Sequence, residues 1–241
     1  GKVLSLMDKY NLWEDTMLIV NTDHGFLLGE HDSWAKCWLP FYNEIANTPL
    51  FIWDPRSDRK GEECDCLVQT IDLAPTIMEF FDVERPKDMQ GHPLRETIAS
   101  DKPVRKAALF GIHGGHVNCT DGRYVYMKAP EGKYNKPLFN YTVMPTHMRK
   151  LFSLKELQTM ELAQPFSFTK GCQTMKMEAN PGTKQPHDFE TMLFDLENDP
   201  GQKNPIKDEE IEEMMKEHLI RLMKANDAPE EQWERLGLTP E

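Results

Sequence analysis

Thr16-Met-Leu-Ile-Val-Asn-Thr-Asp23-His24-Gly25 and, four residues on, Gly29-Glu-His-Asp-Ser-Trp-Ala-Lys36 decide how this chain reads. A short run of strand formers ends in an Asp-His-Gly turn, and a lysine follows 13 residues after the aspartate. Thr16 to Asn21 lacks polar alternation, the pattern of a buried strand in an α/β sheet. The turn then stands at the carboxyl end of that strand, the edge where open α/β sheets bind ligands. Asp and neutral His are ligands for hard or borderline divalent cations. A lysine beside them binds an anion as a compact point charge. A metal and a lysine converging there suit a sulfate or phosphate ester. The plain alternative is a polar turn, because Asp and Gly are common turn residues.

Outward from this stretch, residues Val3 to Tyr10 carry Val3, Leu4 and Met7 at helical spacing. Pro49-Leu-Phe-Ile-Trp-Asp-Pro55 reads as a second core strand. Asp72 reads as the N-cap of a helix from Leu73 to Phe81, with Pro75 inside the tolerated first turn and Ile77, Met78, Phe80 and Phe81 turned inward. Helix and strand alternate here, so residues 1–100 read as α/β. Residues 101–241 differ. Val104–Gly111, Val117–Cys119 and Arg123–Met127 read as short strands, the last two joined by an Asp121-Gly122 hairpin turn. Residues 130–188 are proline-dotted and give no assignment. Glu190–Leu196 reads as a strand. Asp208–Ala225 reads as an amphipathic helix with Ile211, Met214, Met215, Leu219, Leu222 and Met223 near one face. Its acidic start, Asp208 to Glu213, complements the helix dipole. The fold class is therefore α/β, a sheet portion followed by a small antiparallel subdomain with a carboxyl-terminal helix.

The 241 residues suffice for one large or two small domains, and 39% hydrophobic against 28% charged residues is a globular balance. The net charge of −12 argues against general binding to nucleic acid or anionic membranes. An anionic substrate would need a local positive site, such as a metal with Lys36. No apolar run approaches the roughly 20 residues of a membrane-spanning helix. The first ten residues form no signal peptide and the chain opens on Gly1, so it reads as part of something longer, of undetermined compartment. Cys37, Cys64, Cys66, Cys119 and Cys172 are odd in number and irregular in spacing; they read as ordinary thiols. Met144, Met148, Met160, Met175 and Met177 add to a methionine load that reads as adaptable packing. His113-Gly-Gly-His116, in a Gly-rich turn between strands, reads either as a substrate-specificity loop or as a flexible turn with exposed histidines.

Thr22-Asp-His-Gly-Phe-Leu-Leu-Gly-Glu-His-Asp-Ser-Trp-Ala-Lys36 resembles the second metal-binding motif of the sulfatases, in the alkaline phosphatase superfamily, in the style of iduronate-2-sulfatase-like members. The likeness continues in family order through Asn47-Thr-Pro-Leu-Phe-Ile52, Asp72-Leu-Ala-Pro-Thr76, Gly91-His-Pro-Leu94, Asp121-Gly-Arg-Tyr-Val-Tyr-Met-Lys128 and Leu193-Phe-Asp-Leu-Glu-Asn-Asp-Pro200. The resemblance implies a carboxyl-terminal portion of a sulfatase: residues 1–100 as the end of its catalytic α/β domain, residues 101–241 as a small α+β subdomain. It implies Asp23 and His24 as metal ligands and Lys36 as the catalytic and substrate-binding cation. His113 and His116 are the further substrate-binding candidates, and His31 reads as an orienting, hydrogen-bonding residue. One divalent cation is implied, with Ca²⁺ favoured over Mg²⁺, Mn²⁺ or Zn²⁺.

The family nucleophile is a formylglycine made from Cys or Ser in a Cys/Ser-x-Pro-x-Arg motif. No cysteine or serine here has that context. The nucleophile and the early aspartate ligands are expected from an amino-terminal half of the same enzyme, and the chain alone is expected to be inactive. The expected partners are that half and a sulfated small molecule or glycan. The rival functions are a phosphonate or phosphodiester hydrolase of the same superfamily, or a non-catalytic module that keeps the fold.

Overall fold

The computed structural model describes residues 1–36, 40–147, 149–179 and 188–240, so Cys37 and Met148 lie outside it. It divides into two units, residues 1–36 with 43–108, and residues 37–42 with 109–241.

In the first unit, helix α1 (Lys2–Lys9) buries Met7 and leaves Val3 and Leu4 exposed. Strand β1 (Leu18–Asn21) leads into a loop that carries a two-residue ribbon, β2 (Leu27–Leu28) with β3 (Trp34–Ala35). A short helix α2 (Asn43–Ala46) precedes β4 (Leu50–Trp53), which pairs antiparallel with β1 so that Leu18 faces Trp53 and Asn21 faces Leu50. The sequence predicts a buried β1. Among the described residues it has one neighbour, β4, and Val20 and its cross-strand partner Phe51 stay exposed.

Helix α3 (Leu73–Phe80) buries Pro75 and Thr76, while Ile77 and Phe81 point to solvent, the reverse of the inward face predicted for them. The cause is Asp72. Its carboxylate does not cap α3; it is fully buried and gathers donors from three other places. Its Oδ2 accepts the Gln69 N–H (2.7 Å), its Oδ1 accepts the His92 N–H (2.9 Å), and Arg105 grips both oxygens, Nη2 to Oδ1 at 2.6 Å and Nη1 to Oδ2. The Thr76 hydroxyl donates to Asp72 O (2.6 Å) and accepts from the Leu94 N–H (3.0 Å). This face of α3 is thereby turned onto residues 91–94, ahead of helix α4 (Arg95–Ser100).

The second unit is built on a sheet of order β11-β7-β6-β5, from β5 (Ala108–Gly111), β6 (Val117–Thr120), β7 (Tyr124–Lys128) and β11 (Met192–Asp195). The predicted hairpin joins β6 to β7: Asp121 Oδ1 accepts the N–H groups of Arg123 (2.9 Å) and Tyr124 (2.7 Å), and Gly122 takes φ 101°. Side chains alternate across the sheet. Val125, Met127 and Phe194 form a core on one face with Tyr42 and Phe110. The Tyr126 hydroxyl, on the other face, donates to Glu212 of helix α6 (Glu209–Ala225), which buries Met215, Leu219 and Met223. Asp208 caps α6 through the N–H groups of Glu210 and Ile211, both 3.1 Å. Arg123 and Asp195 close one end of the sheet (Nη2 to Oδ2, 2.9 Å), and Arg123 with Asn198 holds the Asp195 carboxyl down at about 2.

The unassigned stretch contains a three-stranded antiparallel sheet of order β8-β10-β9, from β8 (Phe139–Thr142), β9 (Glu161–Ala163) and β10 (Thr174–Glu178), with helix α5 (Leu154–Gln158) before β9. Helix α7 (Glu230–Leu236) buries Trp233, Arg235 and Leu236. Among the described residues no helix is long and apolar enough to cross a membrane.

Candidate functional site

Asp23 and His24 follow β1 directly, and the structure brings them together with Lys36. Gly25 fixes the entry. Its N–H donates to Ile45 O at 2.8 Å, and a Cβ at this position would stand 1.8 Å from Glu44 O. Glycine is required here for close backbone approach to α2 rather than for a positive φ. Lys36 returns to the same place through the small ribbon. Leu27 faces Ala35, so continuing the register sets Lys36 opposite Phe26, two residues from His24. The return is tight: His31, Asp32 and Ala35 all take positive φ, conformations that cost non-glycine residues about 1–3 kcal/mol each and cluster at functional sites. His31 Nε2 lies 3.4 Å from Glu44 Oε2, which sets this loop beside α2.

The imidazole of His24 is set by its neighbours. Its Nδ1–H donates to Gly25 O at 2.8 Å, which leaves the Nε2 lone pair facing Lys36 Nζ at 2.6 Å and Asp23 Oδ2 at 3.3 Å. The Lys36 ammonium donates to that lone pair, and the Asp23 carboxylate stands beside it. Desolvation opposes charge on Asp23, but His24, the N–H groups of Asp23 and His24, and Lys36 together hold its carboxyl below the ordinary range. The tautomer is the one that metal-binding histidines adopt, with the second nitrogen bonded to a backbone carbonyl. The donor set thus fits a divalent cation in part. Among the described residues no three His, Cys, Asp or Glu side chains gather as a metal group, so Asp23 and His24 can form only a portion of a coordination shell.

His113 and His116 belong to the second unit and divide in their exposure. His113 is exposed, with Nε2 3.0 Å from Phe139 O. His116 is 2% exposed, so the turn is not one of two exposed histidines. The His116 ring sets its edge to Phe189 and its Nε2 lies 3.4 Å from Glu190 O, while burial keeps it neutral by lowering its pKa. The same unit has an open cleft of about 380 Å³ lined by Glu230, Glu231, Trp233, Glu234 and Pro240. Three carboxylates disfavour an anionic substrate there, and none of the predicted site residues lines it. Glu44, Gly25's contact with it, and Arg235 carry no signal in the sequence pattern.

Residues 29–114 match the family model described as N-sulphoglucosamine sulphohydrolase, C-terminal. Lys36 and His113 lie within that span, and Asp23 and His24 before it. The chain is 31% identical over 211 residues to an N-acetylglucosamine-6-O-sulfatase of Bacteroides thetaiotaomicron, an alignment covering 80% of this chain and 36% of the relative. It is 33% identical over 104 residues to a multifunctional alkaline phosphatase superfamily protein of Trinickia caryophylli, covering 43% of this chain and 20% of that one. It superposes with TM-score 0.64 and 19% identity on a protein solved in complex with its substrate D-glucosamine-2-N,6-O-disulfate, covering 96% of this chain and 38% of that chain. The chain therefore spans little more than a third of these relatives at most.

Proposed function

Because the chain belongs to the sulfatase family of the alkaline phosphatase superfamily, matches its carboxyl-terminal portion and shares its mixed α/β fold, we propose that it supplies part of a metal-dependent site that hydrolyses sulfate esters. One observation carries this reading: Asp23, the Nε2 lone pair of His24 and the Lys36 ammonium meet at the end of β1, with the His24 tautomer locked by Gly25 O.

Asp23 and His24 would hold the cation, with Lys36, which here faces His24 Nε2 at 2.6 Å, turning to the sulfate. A bound divalent cation, Ca²⁺ ahead of Mg²⁺, Mn²⁺ or Zn²⁺, would neutralise sulfate oxygens. Lys36 contacts the sulfate and stabilises the charge that grows on the leaving oxygen. His31 and Gly25 keep the two arms of the loop in register against α2. The nucleophile, a formylglycine, belongs to the amino-terminal half of the same enzyme, so the chain by itself is inactive. The relatives' names favour a sulfated amino sugar as substrate. His113 is the further candidate for contact with the sugar, and His116 supports its turn from the buried side. The second reading is a phosphonate or phosphodiester hydrolase of the same superfamily, which would use the same metal-and-lysine chemistry.

Parallel steady-state kinetics of the full-length enzyme on 6-O-sulfated glucosamine, an aryl sulfate and a phosphodiester test the reading. Sulfate esters should be the better substrates, and Lys36→Ala should lower kcat/KM about 10²–10³-fold, the usual loss for removing one preorganised charge-stabilising group. A preference for the phosphodiester, or wild-type rates in Lys36→Ala, would overturn it.

A further inference from the structure

Arg235 is 3% exposed and, among the described residues, pairs with no carboxylate. Its Nε–H donates to Gln232 Oε1 (2.9 Å), and its Nη1 donates to Asn135 Oδ1 (2.8 Å) and Gly115 O (3.1 Å). Burial pushes its pKa down to about 10, which still leaves it cationic at neutral pH. Asn135 is 2% exposed and passes the grip on, its Nδ2 donating to Gly114 O at 2.7 Å. Two consecutive carbonyls of the His113–His116 turn are thus held from α7, one directly and one through Asn135. The turn is closed on its other side by Gly115 N–H to Ile112 O at 2.8 Å. Neutral donors would satisfy two peptide carbonyls at a lower desolvation cost than a buried charge. The planar guanidinium supplies what they do not: a rigid fork whose donors are preorganised toward three acceptors, where a lysine's three donors rotate on a flexible stem.

We infer that Arg235 is a positioning residue, holding the turn so that the exposed His113 is presented in one orientation. The inference rests on the reading of His113 as a substrate contact. Of the four turn residues only His113 is exposed, while Gly114, Gly115 and His116 are buried. A shift of the two carbonyls would therefore be felt at the His113 side chain first.

The test uses the full-length enzyme with 6-O-sulfated glucosamine and the variants Arg235→Met, Asn135→Ala, His113→Ala and His113→Ala/Arg235→Met, together with amide hydrogen exchange. Arg235→Met should raise exchange at the Gly115 N–H at least tenfold while leaving Val125–Met127 of β7 unchanged. It should raise KM about tenfold, the worth of one hydrogen bond, with kcat within twofold. In the double variant the KM effects should be non-additive, because both changes act through one side chain. Asn135→Ala should give the same split and serves if Arg235→Met fails to fold. Unchanged Gly115 exchange, additive KM effects, or loss of kcat rather than KM would overturn the inference. Failure of the substrate reading shows separately: His113→Ala alone would leave KM at the wild-type value, and the positioning role would fall with it.

Discussion

Replacing Asp72 by alanine removes a fully buried carboxylate of the first unit. Four donors lose their acceptor together: the N–H groups of Gln69 and His92 and two nitrogens of Arg105. The Asp72 side chain is fully buried and that of Arg105 is only 10% exposed, so solvent cannot replace the lost partner. Breaking a buried pair in this way costs about 3–5 kcal/mol, chiefly through the charge left unpaired. At about 2–4 °C per kcal/mol for a chain of this size, the melting midpoint should fall by roughly 6–20 °C. Thermal melts followed by circular dichroism measure that midpoint, urea melts give the free-energy loss, and an Asp72→Ala/Arg105→Ala cycle isolates the coupling. The pH dependence carries a sign. Burial opposes the charge, but Arg105 and the two backbone donors outweigh it and depress the Asp72 carboxyl below its ordinary value. The stabilisation is therefore complete above about pH 4 and is lost as pH falls through the depressed native value. Asp72→Asn should erase that acid limb. A loss under about 1 kcal/mol, or an unchanged acid limb in Asp72→Asn, would refute the assignment of Asp72 as the tie between residues 69–76, 92 and 105.

Gly25→Ala should force the Asp23–His24 turn away from α2, since its Cβ would lie 1.8 Å from Glu44 O; a displacement of about 1 Å commonly costs 10²-fold in rate, and kcat/KM of the full-length enzyme reads it. Asp208→Ala should destabilise α6 by about 1 kcal/mol through loss of its N-cap, a fall of roughly 2–4 °C in the second unit's melting midpoint by calorimetry. The purified chain by itself should show no sulfatase turnover in a discontinuous sulfate-release assay, and should regain none on addition of metal alone.

What the sequence discloses depends on how local the physics is. The Asp121-Gly122 turn and the acidic start of α6 are settled within a few residues, and both are read from the chain directly. The 13-residue spacing to Lys36 is read there too, but the ribbon that returns it to His24 appears only in the structure. Asp72 is misread because its capping position is a local signal, while the Arg105 that claims its carboxylate lies 33 residues on. The sheet β8-β10-β9 escapes because its strands are short and pair out of chain order, separated by prolines that erase periodicity. Arg235 has no sequence signal at all: its acceptors at Asn135 and Gly115 are 100 and 120 residues upstream. The buried state of His116 follows from the same long-range closure, whereas a Gly-rich turn alone reads as open.

The central claim is that Asp23 and His24 are ligands of one cation beside Lys36. The direct measurement is metal content by mass spectrometry of the full-length enzyme, taken in parallel with its sulfate-ester turnover, for wild type, Asp23→Asn and His24→Ala. One divalent cation at this site is predicted in the wild type, with both that metal and turnover lost in each variant while the melting profile is kept. Variants that keep wild-type metal content and wild-type turnover would contradict it.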